Sequence, residues 1–251
     1  MNEKGPILDQ APDFDQVGAL FEYLKAAPQM VVLSEEQLAQ LALFGGLVLQ
    51  ANQKINLTAI KEPKEFAQKH IIDSLSLLPH MVEGAKTLVD IGSGAGFPGL
   101  PLAIALPELQ VTLLESVEKK CRFLAEAVAI LRLPNVKIVV GRAEEYGQKK
   151  GRGQFDLATA RAVSELPVLL EYALPLLKKG GSFVAYKGPK AQEELAQARG
   201  ALAKLGGGFY VSFPYTNGSA EQLILLQFVK EEETPAAYPR KAGIPKKNPL
   251  S

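Results

Sequence analysis

The stretch TLVDIGSGAGFPGLPLAIAL, residues 87–106, decides the fold. Its first five residues, 87–91, are β-forming or apolar and predict a buried strand. Gly92, Gly94, Gly96 and Gly99 follow, and residues 100–106 then read as a helix. Glycines in a strand-to-helix turn permit positive φ and let a ligand approach the backbone with no Cβ in the way. The amides at the helix start can receive polar ligand groups.

Working downstream, the same alternation repeats. Residues 111–114, 136–140, 155–159 and 182–186 predict strands, and residues 118–131, 143–146 and 165–177 predict helices between them. Such βαβ units imply an α/β fold, a doubly wound, mostly parallel sheet with helices on both faces. After a helix near 192–205, residues 209–213 and 222–229 are strands flanking Pro214-Tyr215-Thr216-Asn217-Gly218. They predict a hairpin at the sheet edge and bring the sheet to seven strands. Upstream, Ser34 before Glu35, Glu36 and Gln37 marks a helix N-cap. Ile71, Ile72, Leu75, Leu77 and Leu78 suggest another helix, ending near Pro79. The expected organisation is an N-terminal helical region (1–84), a ligand-binding domain (85–230) and a basic C-terminal tail (231–251).

Composition bounds the function. The chain has 251 residues, with 28 Lys and Arg against 27 Asp and Glu, so a wholly basic nucleic-acid binder is excluded. A single cysteine excludes an intramolecular disulfide and a Cys-based zinc cluster. Cys121 falls within a predicted helix and is expected to pack. Nor do the two histidines suggest a metal site with nearby acids. The start, MNEKGPILDQ, lacks an export signal, and the longest apolar runs are about half of the ~20 residues a membrane span requires. A soluble cytoplasmic protein is expected. The near-zero net charge hides a division: seven acids oppose three lysines before residue 60, whereas ten cations oppose four acids between Lys119 and Arg161. The C-terminal stretch adds four more cations. Clusters of that kind supply phosphate contacts to nucleic acid.

Two ligands suit the glycine turn. Gly94-Ala95-Gly96-Phe97-Pro98-Gly99 matches the G-x-G-x-x-G dinucleotide fingerprint, and Glu115 ends the next strand where a ribose-binding acid is expected. Asp90 before the glycines favours S-adenosylmethionine (AdoMet), because a carboxylate there suits an ammonium or sulfonium better than a pyrophosphate. Phe97 and Pro98 also crowd the helix start. An NAD-dependent oxidoreductase is therefore the first rival, with Tyr146 and Lys150 as a Tyr-x-x-x-Lys match that nearby glycines weaken. The turn residues Asp90, Gly92, Ser93, Gly94 and Gly96 are the first cofactor-binding candidates. At the next strand ends, Ala143-Glu144 and Arg161 are further candidates, with a structural ion pair as the alternative role for Arg161.

Together, Asp90–Gly99, Glu115-Ser116, Ala143-Glu144 and Ala160-Arg161-Ala162 resemble the Rossmann-type AdoMet methyltransferases. Asn56–Ile60, His70–Leu75, Tyr186-Lys187-Gly188 and Tyr238–Pro245 narrow the resemblance to the ribosomal RNA small-subunit methyltransferase G family, also called glucose-inhibited division protein B. The resemblance implies methyl transfer from AdoMet to guanine N7 in 16S rRNA. It also implies that Gly92, Phe97, Glu115, Ser116, Ala143, Glu144 and Arg161 line the cofactor site. The expected partner is 16S rRNA, the small ribosomal subunit or its precursor, and the chain is expected to be a monomer. Asn56, His70, Lys119, Lys120, Arg142, Lys187, Arg240 and Lys241 are the candidate RNA contacts, with Arg161 and Lys187 as positioning residues. A non-catalytic rRNA-binding assembly factor is the second rival.

Overall fold

β1 (Thr87–Ile91) lies in the interior of a seven-stranded sheet ordered β3-β2-β1-β4-β5-β7-β6. The other strands are β2 (Gln110–Glu115), β3 (Val136–Val140), β4 (Phe155–Arg161), β5 (Leu177–Lys187), β6 (Gly207–Tyr215) and β7 (Leu223–Lys230). β1 to β5 pair in parallel, and β7 runs antiparallel to both β5 and β6. The expected doubly wound sheet and edge hairpin are both present. The computed structural model describes residues 5–27 and 32–251.

Parallel strands covered on both faces are buried along their length, and the middle of β1 and of β4 is buried throughout. Helices cover both faces. α1 (Phe14–Ala26), α2 (Glu35–Ala51), α3 (Pro63–Phe66) and α4 (Asp73–Leu75) belong to the N-terminal region. α5 (Gly99–Ala105), α6 (Glu118–Leu131), α7 (Ala143–Gly147), α8 (Leu166–Ala173), α9 (Ala191–Lys204) and α10 (Ile244–Lys247) follow. One core joins the N-terminal helices to α5, α6 and one sheet face; the other packs α8 and α9 on the opposite face. Ser34 caps α2 as expected, with Gln37 completing a capping box. Gln37 also donates to the carbonyls of Ile104 and Ala105, closing the end of α5.

Three features differ from the sequence expectations. The helix expected through residue 177 leaves α-geometry at Ala173, passes through a 3-10 turn at Leu174–Leu176 and becomes β5 at Leu177. Pro175 explains the stop, since it has no N–H for a helix bond. Between α3 and α4, residues Ala67–Ile72 form a π-helical stretch, a geometry common at functional sites. Finally, residues 231–251 fold back on the domain rather than trailing from it. Arg240 pairs with the fully buried Glu171 at 2.6 Å, Arg152 donates to Tyr238 O at 2.7 Å, and Leu250 is buried.

Candidate active site

The strand order reverses between β1 and β4, and open α/β sheets bind ligands beside the carboxyl ends of strands at such a point. The glycine turn leaves β1 there, and Arg161 ends β4. Gly94 (φ +59) is the turn's open position: a Cβ added to it would meet only Gly92 O, at 3.8 Å. Gly96 (φ +102) serves packing instead, since a Cβ there would lie 2.7 Å from Leu100 and 3.1 Å from Leu124.

Asp90 is fully buried. Its Oδ2 accepts the Gly99 N–H at 3.1 Å, and its Oδ1 accepts the Thr159 hydroxyl at 3.3 Å. Burial pushes its carboxyl up to about 6 despite these bonds. The structure thus corrects the expectation that Asp90 faces the ligand: it ties the turn to α5 and β4. Phe97 sits in the same turn. Its ring, 5% exposed, packs on Phe44 at 4.9 Å and stacks on His70 at 5.0 Å. The Arg161 guanidinium lies over the same ring, 5.3 Å from its centroid. Ser93 is also buried, its hydroxyl donating to Asp90 O at 2.9 Å.

The α5 start cannot hold a pyrophosphate. Phe97 N–H already binds Ser93 O, Gly99 N–H binds Asp90 and Leu100 N–H binds Gly96 O. Pro98 and Pro101 have no N–H. The amides that a dinucleotide would need are spent within the protein, which argues against the oxidoreductase rival. Its Tyr-x-x-x-Lys match fails as well, because Lys150 lies beyond the end of α7.

Beside the turn is a cavity of about 230 Å³ lined by Ile91, Gly92, Leu114, Ser116, Gly141, Arg142, Ala143, Glu144, Val163, Ser164, Tyr172 and Lys246. Glu115 borders the turn, accepting the N–H groups of Gly94 at 2.9 Å and Val117 at 2.8 Å. Glu144 is 3% exposed and accepts the Gly243 N–H at 2.9 Å. Burial and the Glu144 charge push the Tyr172 phenol up to about 12. A cavity that sets Ile91, Leu114, Ala143 and Val163 beside Ser116 and Glu144 fits AdoMet: its apolar walls can hold a base, and its polar groups can bond ribose hydroxyls.

A larger cleft of about 850 Å³ adjoins this cavity and shares Val163, Ser164 and Lys246 with it. His70, Asp73 and Arg161 line the cleft. Arg161 bonds Asp73 Oδ2 at 2.9 Å, Lys69 O at 2.7 Å and His70 Nδ1 at 3.1 Å. A guanidinium only donates, so His70 Nδ1 is the acceptor and its Nε2–H donates to Thr58 Oγ1, 2.7 Å away. Burial, then the Arg161 charge, lowers His70 to about 3 and keeps it neutral. Asp73 Oδ1 also accepts Tyr215 Oη–H at 2.8 Å and Asn217 Nδ2–H at 3.2 Å. The ion-pair alternative for Arg161 is therefore present, and it locks the N-terminal region to β4. At Ala162, the next residue, φ is +55, an uncommon conformation beside the cleft mouth.

The expected RNA contacts divide. Lys119, Arg142 and Lys241 are exposed, and Lys120 is half-buried. Lys119 donates to Lys54 O at 3.1 Å. Asn56 is exposed in the loop before α3, away from both cavities. Lys187 and Arg240 are both held in ion pairs. Lys187 lines the larger cleft, with its side chain 8% exposed and bonded to Glu194 at 2.6 Å and Ser164 O at 3.0 Å, so its charge is countered there by a carboxylate. Arg240 is held by Glu171. Lys246 stood only among the cations of the C-terminal stretch, and the sequence singled out neither Tyr172 nor Glu171. The last carried a signal, a lone acid within the apolar run LPVLLEYALPLL. Cys121 is buried, as expected of a packing residue.

The turn, the acids at the strand ends and the adjoining cleft define an AdoMet-dependent methyltransferase of Rossmann type. Among solved structures, TYW2 from P. horikoshii in complex with MeSAdo has a TM-score of 0.52 at 15% identity, covering 65% of this chain and 63% of that one, a likeness of fold. A family model for rRNA small subunit methyltransferase G matches residues 37–223. A protein of that name from Deinococcus radiodurans is 48% identical over 222 residues, covering 86% of this chain and 85% of the relative. One from Desulfitobacterium hafniense is 46% identical over 222 residues, covering 88% and 92%. The chain belongs to the rRNA small subunit methyltransferase G family.

Proposed function

We propose that this enzyme methylates N7 of a guanosine in 16S rRNA, with the base seated in the larger cleft. The observation that carries the reading is the junction of that cleft with the cofactor cavity, both formed by one chain at the switch point of the sheet. AdoMet supplies an electrophilic methyl on a sulfonium. Guanine N7 has an in-plane lone pair and no proton, so it forms the new N–C bond while the S–C electron pair stays on sulfur. No general base is needed.

The residues here suit that requirement. His70 is held neutral and Arg161 is engaged by Asp73, so neither places a free cation against a base that becomes cationic. Catalysis then rests on alignment. Glu115, Ser116, Ala143 and Glu144 hold the cofactor in this proposal, with Gly94 open to it. Lys119, Lys120, Arg142 and Lys241 meet RNA phosphates. The enzyme acts as a monomer in the cytoplasm, consistent with both cavities being complete in one chain; among the described residues no helix is long and apolar enough to cross a membrane.

The test is thermal melting with AdoMet, its demethylated product or NADH, followed by transfer of labelled methyl to 16S rRNA. Stabilisation by AdoMet alone among the two cofactors, with label in RNA, supports the reading. Stabilisation by NADH would overturn it, and AdoMet binding without transfer would favour the assembly-factor rival.

A further inference from the structure

The C-terminal strap, residues 231–251, reaches the active site. Its course is fixed at four points. Arg240 pairs with the buried Glu171, Gly243 N–H binds Glu144 at the cofactor cavity, and Pro245 and Leu250 are buried. These anchors hold α10 over the place where the two cavities meet. Lys246 lines both cavities; Lys247, the next residue, lines neither. Lys246 is exposed and makes no ion pair among the described residues.

The methyl must cross where the cavities join, so the target base must lie there. A nucleotide whose base enters the cleft keeps its phosphodiester at the rim. An unpaired ammonium at that rim matches one phosphate, and neutralisation by the phosphate removes the cation from the neighbourhood of the developing base charge. On these grounds we propose that Lys246 binds the phosphodiester beside the target guanosine and sets how deeply the base enters. This rests on the proposed function above.

The experiment compares K246A, K246R and K247A in methylation of 16S rRNA across a salt series, with AdoMet affinity measured by calorimetry. K246A is expected to raise KM for RNA about fivefold and to reduce the slope of log KM against log salt by about 0.7, one phosphate's share on a single strand. AdoMet affinity stays within twofold, which also reports folding, and K246R recovers most of the loss. K247A changes KM less than twofold. Equal effects of K246A and K247A would overturn the proposal. So would weakened AdoMet binding in K246A with RNA KM unchanged, which would assign the lysine to the cofactor carboxylate. A wild-type enzyme inactive on 16S rRNA would instead remove the underlying function.

Discussion

His70 gives the structure a measurable pH signature. In the folded chain its ring is held neutral down to about pH 3 by burial and by the Arg161 charge. In the unfolded chain it protonates near pH 6.5. A histidine lowered on folding contributes stability that is present above pH 6.5 and lost as pH falls toward the folded value, because only the unfolded state gains a proton in that window. Between pH 7 and pH 5 the loss is about 2 kcal/mol, from roughly 1.4 kcal/mol per pH unit below 6.5. The perturbation is His70→Gln, whose amide can still donate to Thr58. Urea unfolding at both pH values gives the fall in stability for each protein. The wild type is expected to lose about 2 kcal/mol more than the variant. Asp90, which burial raises to about 6, favours folding at low pH and so acts in the opposite direction, but it is common to both proteins and cancels. Parallel pH dependences would refute the neutral, Arg161-facing histidine.

The two glycines separate binding from packing. Gly94→Ala puts a methyl into open space where a ligand passes, so AdoMet affinity should fall at least tenfold while stability falls by only the ~1 kcal/mol of a left-handed alanine; Gly96→Ala should cost about 2–3 kcal/mol in denaturant unfolding, because its Cβ meets Leu100 and Leu124. Arg240→Ala leaves Glu171, 0% exposed, without a counterion, and should cost about 3–5 kcal/mol in the same assay. A loss under 1 kcal/mol would show that the strap is not anchored there. A guanosine in a loop should be methylated far faster than the same guanosine in a duplex, since side chains do not enter the deep, narrow major groove of A-form RNA where N7 lies; equal rates would contradict N7 recognition through the cleft.

The sheet was legible because its signals are local. Alternating apolar runs and the residues between them placed β1 and β3 to their ends, and Pro214–Gly218 marked the hairpin. Ala143 and Glu144, which follow the end of β3, were legible as residues of the cavity beside the turn, and Glu115, which ends β2, as its neighbour. Long-range pairing was not legible. Asp90 looks the same in sequence whether it faces a sulfonium or caps Gly99 from beneath, and Phe97 gives no hint that its ring stacks on His70, 27 positions earlier. Lys187 and Arg240 stood out as cations, but their acids, Glu194 and Glu171, lie on helices whose packing the sequence does not specify. The basic stretch after residue 238 suggested a tail because charge and proline are visible, whereas its docking depends on a carboxylate buried in α8.

The central claim is methyl transfer to guanine N7. The most direct measurement incubates the purified protein with labelled AdoMet and 16S rRNA or small subunits lacking the modification, then digests the RNA to nucleosides for mass spectrometry. The account predicts label in N7-methylguanosine at a single site. Label on another atom or base, or none in either substrate, would contradict it.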